Sequence, residues 1–299
     1  MSRSTEVSLA MMIAATGVAA MVFWPPDTGL GDIAVDTPEL VELDPGEDDT
    51  PEPAEDGEPD TEPNADDDTG PVAEEPDDDV LPAAQYDEAG EAFTWLPAGD
   101  LIEGSGTGQP LQINYVPGMR FPLEAGRAFA NSQVYNYGGY LGPAGGQCNA
   151  QNYAYSWRDN FCETRGYSTP MCPTGEGHQG QDIRPATCQD AVHWAVAADD
   201  GTITSIGSYS VRLMSDDGVR YTYLHLEKDT LQVEVGDRVS QGERLGFVSN
   251  EFGSTATTIH LHFEIQMAID TGSGIQNTPV PPYLALVDSY ERLIESPGS

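Results

Sequence analysis

Residues 31 to 90 carry 24 aspartates and glutamates and not one lysine or arginine, with prolines scattered throughout. Such a stretch cannot bury enough apolar surface to offset its chain entropy, and its like charges hold it extended. It reads as a disordered acidic linker over 27–90, so any folded domain is built from residues C-terminal to it. From residue 92 onward 23 acidic side chains face 11 basic ones, which leaves that part near −12. Nucleic acid is excluded as a partner, because affinity for it comes from neutralising phosphates with Lys and Arg.

Ahead of the linker, Arg3 precedes an uncharged run from Val7 to Trp24 that Pro25-Pro26 closes. Its 18 residues would span ~27 Å as a helix, at the low end for a ~30 Å hydrocarbon core. Val18-Ala19-Ala20 offers small residues for cleavage, so residues 1–26 are expected to be a removed signal peptide or an uncleaved anchor. No cysteine lies there, which rules out a lipoprotein anchor. Either expectation places the rest of the chain outside the cytoplasm, periplasmic, cell-envelope or extracellular, with membrane contact only through this segment.

The cysteines agree with that compartment. Cys148, Cys162, Cys172 and Cys188 are even in number and close together, as in a disulfide framework of an exported chain. A four-thiolate structural zinc site competes, but no pair has the short C-x2–4-C spacing it uses. Of three connectivities, Cys148–Cys162 with Cys172–Cys188 is expected as the pairing with short loops, each worth roughly 3 kcal/mol by the chain-entropy model. The second bridge would bracket His178 and Asp182.

A transitional segment, 91–118, leads into one domain over 119–299, long enough for a single core. Its pattern is mainly β, and no internal repeat or added binding module is visible. Ser210–Met214 and Val219–Tyr223 alternate around a turn at Asp216-Asp217-Gly218. Thr202–Ile206 and Arg244–Ser249 are further strands. Ile259–Gln266 alternates with Ile259, Leu261, Phe263 and Ile265 on one face, which leaves His260, His262 and Glu264 on the other. After Pro281-Pro282, Tyr283–Ile294 is the one expected helix, packed on the outside. Gly177, Gly180 and Pro185 argue against a helix at G-H-Q-G-Q-D, so His178 and Asp182 are expected in a loop that runs into a strand.

Four of the five histidines form a spaced set with one aspartate: His178 and Asp182, His225 in Y-T-Y-L-H-L, and His260 and His262 in H-L-H-F-E-I. Imidazole nitrogen and carboxylate oxygen are zinc ligands, and a catalytic zinc takes three protein ligands plus a water. His193 sits in A-V-H-W-A-V, outside these motifs, and reads as structural. For Glu264 two readings stand, a supporting contact to a metal ligand and pairing with a neighbouring strand, the second favoured. Asp199 and Asp200 read as turn residues before Gly201. Tyr135, Tyr137, Tyr140, Tyr153, Tyr155 and Trp157 either line a groove for glycan or peptide or, the favoured reading, pack around the disulfides.

H-x-G-x-D, A-A-D-D-G, Y-x-H-L, V-G-D-R-V-S-Q-G-E-R-L-G and H-L-H-F-E-I, in this order from about Phe121 to Ala285, resemble the LytM/lysostaphin-type zinc endopeptidases of bacterial cell walls. The resemblance implies an antiparallel sheet whose loops wall a groove, one Zn2+ on His178, Asp182 and His262, and His225 and His260 as catalytic histidines. It implies hydrolysis of peptidoglycan cross-links or stem peptides by zinc-activated water. Two rivals are a LytM-like module that only activates another wall hydrolase, and a secreted peptidase acting on proteins. The metal ligands present in this sequence argue against the first. Two features depart from the family pattern: a Cys-containing insert, C-N-A-Q-N-Y-A-Y-S-W-R-D-N-F-C-E-T-R, and extra length after Asp182. No oligomeric state is set by the sequence.

Overall fold

The computed structural model describes residues 85–296. The targeting stretch and nearly all of the acidic linker lie outside the described residues. Twelve strands appear in chain order: β1 (Gln85–Tyr86), β2 (Ala92–Phe93), β3 (Ala128–Ala130), β4 (Gln181–Pro185), β5 (Trp194–Val196), β6 (Gly201–Ile206), β7 (Ser210–Ser215), β8 (Arg220–Leu224), β9 (Arg238–Val239), β10 (Arg244–Phe247), β11 (Leu261–Asp270) and β12 (Ile275–Val280), followed by helix α1 (Tyr283–Glu295). The main sheet runs β3-β4-β11-β8-β7-β6-β9, with β12 on the far half of β11, and every pairing is antiparallel. The expected mainly β, antiparallel class is what forms.

The β7–β8 hairpin falls where alternation places it, pairing Val211 with Tyr223 and Leu213 with Tyr221. β11 starts two residues later than expected, because Ile259 N donates to Gln147 Oε1 at 2.7 Å instead of joining the ladder. It then extends to Asp270 because β12 pairs with it from Ile265 onward. β10 stops at Phe247; beyond it Ser249 N turns to the carbonyl of His225 at 2.7 Å.

Helix α1 corrects an expectation. It is not an outer decoration: Tyr283, Leu286 and Tyr290 are fully buried, and the ring of Tyr290 lies 4.6 Å from Trp157, 4.8 Å from Phe93 and 5.0 Å from Phe121. Tyr283 Oη donates to the carbonyls of Leu96 and Trp157 at 3.0 and 3.1 Å. Each such ring removed from water contributes roughly 1.5–3 kcal/mol, so the helix and residues 93–121 cap the apolar face of the sheet. Of the tyrosine series, Tyr155 and Trp157 join this cluster and Tyr153 packs on Phe129, whereas Tyr140 is 80% exposed.

The disulfides also correct an expectation. Cys148 pairs with Cys188 and Cys162 with Cys172, each with Cα atoms 5.4 Å apart. Loop length alone did not decide the partners. Cys162 N donates to the His178 carbonyl at 3.0 Å and His178 N to the Glu163 carbonyl at 2.8 Å, so the chain around Cys162 runs beside Gly177. A Cβ on Gly177 would stand 2.8 Å from Cys162 Cα and 3.1 Å from Cys172 Sγ. That close approach brings Cys162 to Cys172 and leaves Cys188 for Cys148.

Candidate metal centre

β4 and β11 pair with Asp182 opposite His262, so the two side chains rise from one face of adjacent central strands. His178 precedes β4 in the loop held against residues 160–163, which confirms a loop running into a strand. Gly180 lets that loop close down: a Cβ there would meet Phe263 O at 2.5 Å and His262 Nε2 at 2.9 Å. His178 Nε2 lies 2.9 Å from His262 Nδ1 and 3.3 Å from Asp182 Oδ1, and Asp182 Oδ1 lies 3.1 Å from His262 Nδ1. Donors about 2.0–2.2 Å from one zinc in tetrahedral array stand about 3.3 Å apart, so this triangle is of the right size.

Ring tautomers agree with that fit. His178 Nδ1 is 2.9 Å from the carbonyl of Asn160, which only accepts, so the proton sits on Nδ1 and the lone pair on Nε2. His262 is arranged in the opposite sense: Nε2 is 3.0 Å from Glu264 Oε1, so Nδ1 is the free donor atom. Asp182 Oδ2 accepts from Asn160 Nδ2 at 2.7 Å, which leaves Oδ1 for the centre. Glu264 therefore orients the His262 ring, and it also pairs across to β8 opposite Thr222, as the favoured reading expected. Asn160 was not singled out at all, and lying two residues before Cys162 in the insert was its only local signal.

His225 and His260 stand beside the triad. His225 follows β8 with a φ of 66°, held by Ser249, whose N and Oγ donate to its carbonyl at 2.7 and 3.0 Å. Its Nδ1 meets the carbonyl of Glu251 at 2.8 Å. His260 Nδ1 meets the carbonyl of Thr258 at 2.7 Å, and its Nε2 is 3.5 Å from Asp182 Oδ1. The two rings lie 4.5 Å apart. Both keep the proton on Nδ1 by the same argument, so both Nε2 lone pairs are free. His193 is elsewhere, its Nε2 2.7 Å from Thr187 Oγ1.

Charge is arranged for a cation. Burial holds His178 and His225 below the ordinary histidine value, His225 well below, with His260 adding to the effect. Burial also opposes charge on His262, yet its hydrogen bonds to Asp182 and Glu264 push it up to about 9. Asp182, despite burial, is held well below the carboxylate range by His178 and His260. Among the described residues, His178, Asp182 and His262 are the one cluster of His, Cys, Asp or Glu placed to hold a metal ion.

Residues 176–279 match the family described as Peptidase family M23. Over 134 residues the chain is 31% identical to the glycyl-glycine endopeptidase ALE-1 of Staphylococcus capitis, covering 44% of this chain and 36% of that protein. The chain thus spans little more than a third of that relative's length. Among solved structures, the catalytic domain of the antimicrobial peptidase lysostaphin from Staphylococcus simulans is 25% identical, with a TM-score of 0.32 over 46% of this chain and 94% of that one. The catalytic domain of the prophage-encoded M23 protein EnpA from Enterococcus faecalis is 20% identical, with a TM-score of 0.29 over 44% of this chain and 95% of that one.

Proposed function

We propose, for a chain whose residues 176–279 match Peptidase family M23, that it is a zinc-dependent endopeptidase hydrolysing peptide bonds of bacterial cell-wall peptidoglycan outside the cytoplasm. The observation that carries this reading is the convergence of His178 Nε2, Asp182 Oδ1 and His262 Nδ1 within 2.9–3.3 Å of one another, with two further histidines alongside. Those three atoms would hold the ion. Zinc on such a donor set supplies Lewis acidity, which acidifies water and polarises a carbonyl. The curated relative's name, a glycyl-glycine endopeptidase, supports a peptide bond as the target.

The remaining steps belong to the chain's own groups. One free Nε2, of His225 or His260, takes the proton of the attacking water and returns it to the amine nitrogen as the C–N bond breaks, while the other ring, protonated from solvent, donates to the developing oxyanion. The carbonyls of Glu251 and Thr258 hold both rings in that orientation. The full chain is tested on zymograms of purified peptidoglycan and of casein. Clearing of peptidoglycan alone, abolished by a chelator and restored by zinc, is the expected result. Clearing of casein alone, or of neither, contradicts it.

A further inference from the structure

The face of the sheet that carries the metal centre continues past it, and its far end is charged. In register, Glu264 of β11 stands opposite Thr222 of β8, and Thr222 opposite Arg212 of β7; one pleat further, Gln266 stands opposite Arg220. Arg212, Thr222, Glu264 and Arg220 thus share the face of His262. At two residues per ~6.7 Å of strand, Arg220 sits about 13 Å along the strands from the level of His262.

These two arginines differ from the rest. Arg127, Arg158, Arg165, Arg238, Arg244 and Arg292 each meet a carboxylate. Arg120 donates to three backbone carbonyls and Arg184 to Asn131 and Gln147. Among the described residues, Arg212 and Arg220 alone of the arginines have a guanidinium with neither ion pair nor hydrogen bond. Arg220 Nε is buried without a partner, and so is Oγ1 of Thr222, a residue only 2% exposed. Two like charges at diagonal positions of neighbouring strands, ~7–8 Å apart at the backbone, repel; burial and Arg212 together hold Arg220 below the ordinary arginine value, against the opposing charge of Glu264. The nearby Glu264 is committed to His262 Nε2.

We infer that Arg212 and Arg220, with the Thr222 hydroxyl between them, form a subsite for a carboxylate of the peptide substrate, two to four extended residues from the cleaved bond. A planar carboxylate matches the guanidinium fork, would supply the missing acceptor for Arg220 Nε, and would lie on the sheet face that carries His262. In a chain of net charge −38, such a local pair offers an anionic group an attraction that the overall charge does not. The inference rests on the peptidase reading for its choice of ligand.

Binding and turnover test it separately. Capped oligoglycine hexapeptides carrying one Glu, or one Gln, at each position in turn are titrated calorimetrically into the full-length His260→Ala chain. The Glu peptide with its carboxylate in the subsite is expected to bind about tenfold more tightly than its Gln counterpart, with the preference shrinking as salt rises. Arg220→Gln and Arg212→Gln, introduced into that chain, are expected to lower the preference singly and abolish it together while Gln peptides bind as before. Arg220→Lys keeps charge without the fork and should retain part of it. Equal binding of Glu and Gln peptides, including no binding of either, overturns the subsite, as does a preference that survives the double substitution. If the wild-type chain fails to cleave peptidoglycan while the Glu preference holds, the peptidase reading fails and the subsite stands.

Discussion

Asn160 grips Asp182 from two sides: its Nδ2 donates to Oδ2 at 2.7 Å, and its Oδ1 accepts from the Asp182 backbone N at 3.1 Å. The same residue's carbonyl orients His178. One asparagine from the insert therefore positions two of the three donor groups. Asn160→Ala is expected to weaken zinc binding 10–100-fold, as loss of such an orienting partner does, while the domain keeps its circular dichroism spectrum. Competition with a chromophoric chelator reads the affinity. Unchanged affinity would show that the loop holds its ligands without the asparagine.

The histidines proposed as catalytic separate from the proposed ligands by a different readout. His225→Ala and His260→Ala are each expected to lower kcat roughly 10²–10⁴-fold, the range for an acid–base or oxyanion group. Zinc should remain near stoichiometric in both. A variant that loses metal along with turnover moves that histidine into the ligand set.

The two bridges are expected to act differently. Cys148–Cys188 spans 40 residues and Cys162–Cys172 spans 10, which the chain-entropy model rates at about 4 and about 2.7 kcal/mol. Replacing the first pair by serines should therefore cost more in urea midpoint. Replacing the second should cost more in zinc affinity, because Cys162 N bonds the His178 carbonyl and Asn160 lies two residues away. Equal losses of zinc affinity in the two double variants would remove the coupling.

Glu163 gives a pH signature. Burial, helped by nearby Asp182 and opposed by Ser132 and Arg165, raises its pKa to about 8, and its Oε1 is buried without a partner. The folded state thus binds this proton more tightly than the unfolded one, whose carboxyl titrates near the ordinary 4.5. Its penalty is absent below that value, grows as pH rises, and is complete above about 8. Glu163→Gln should raise stability by a few kcal/mol at pH 9 and change it little at pH 4. Denaturant midpoints at the two pH values decide it; a gain of equal size at both contradicts the assignment.

Local signals and long-range ones fared differently. The β7–β8 hairpin and the shared face of His260 and His262 follow from period-two alternation, and the separate histidine motifs do meet at one centre. Strand β12 contains Pro279 and little alternation, and it exists because β11 offers an edge from Ile265 onward. The burial of α1 depends on Phe93, Phe121 and Trp157, which are distant in sequence. Disulfide partners turned on the approach of Gly177 to Cys162, a tertiary contact that loop-closure entropy does not contain. Asn160 belongs to the same class: its role is visible only once residues 160–163 lie beside β4.

Metal content tests the account most directly. Elemental analysis of the purified full chain should find one zinc per molecule, and His193→Ala should keep it, since that ring bonds Thr187 away from the centre. His262→Ala should lose most of it, because Nδ1 of that ring faces both His178 and Asp182. Equal zinc in the His262→Ala and His193→Ala chains would contradict the assignment of the centre.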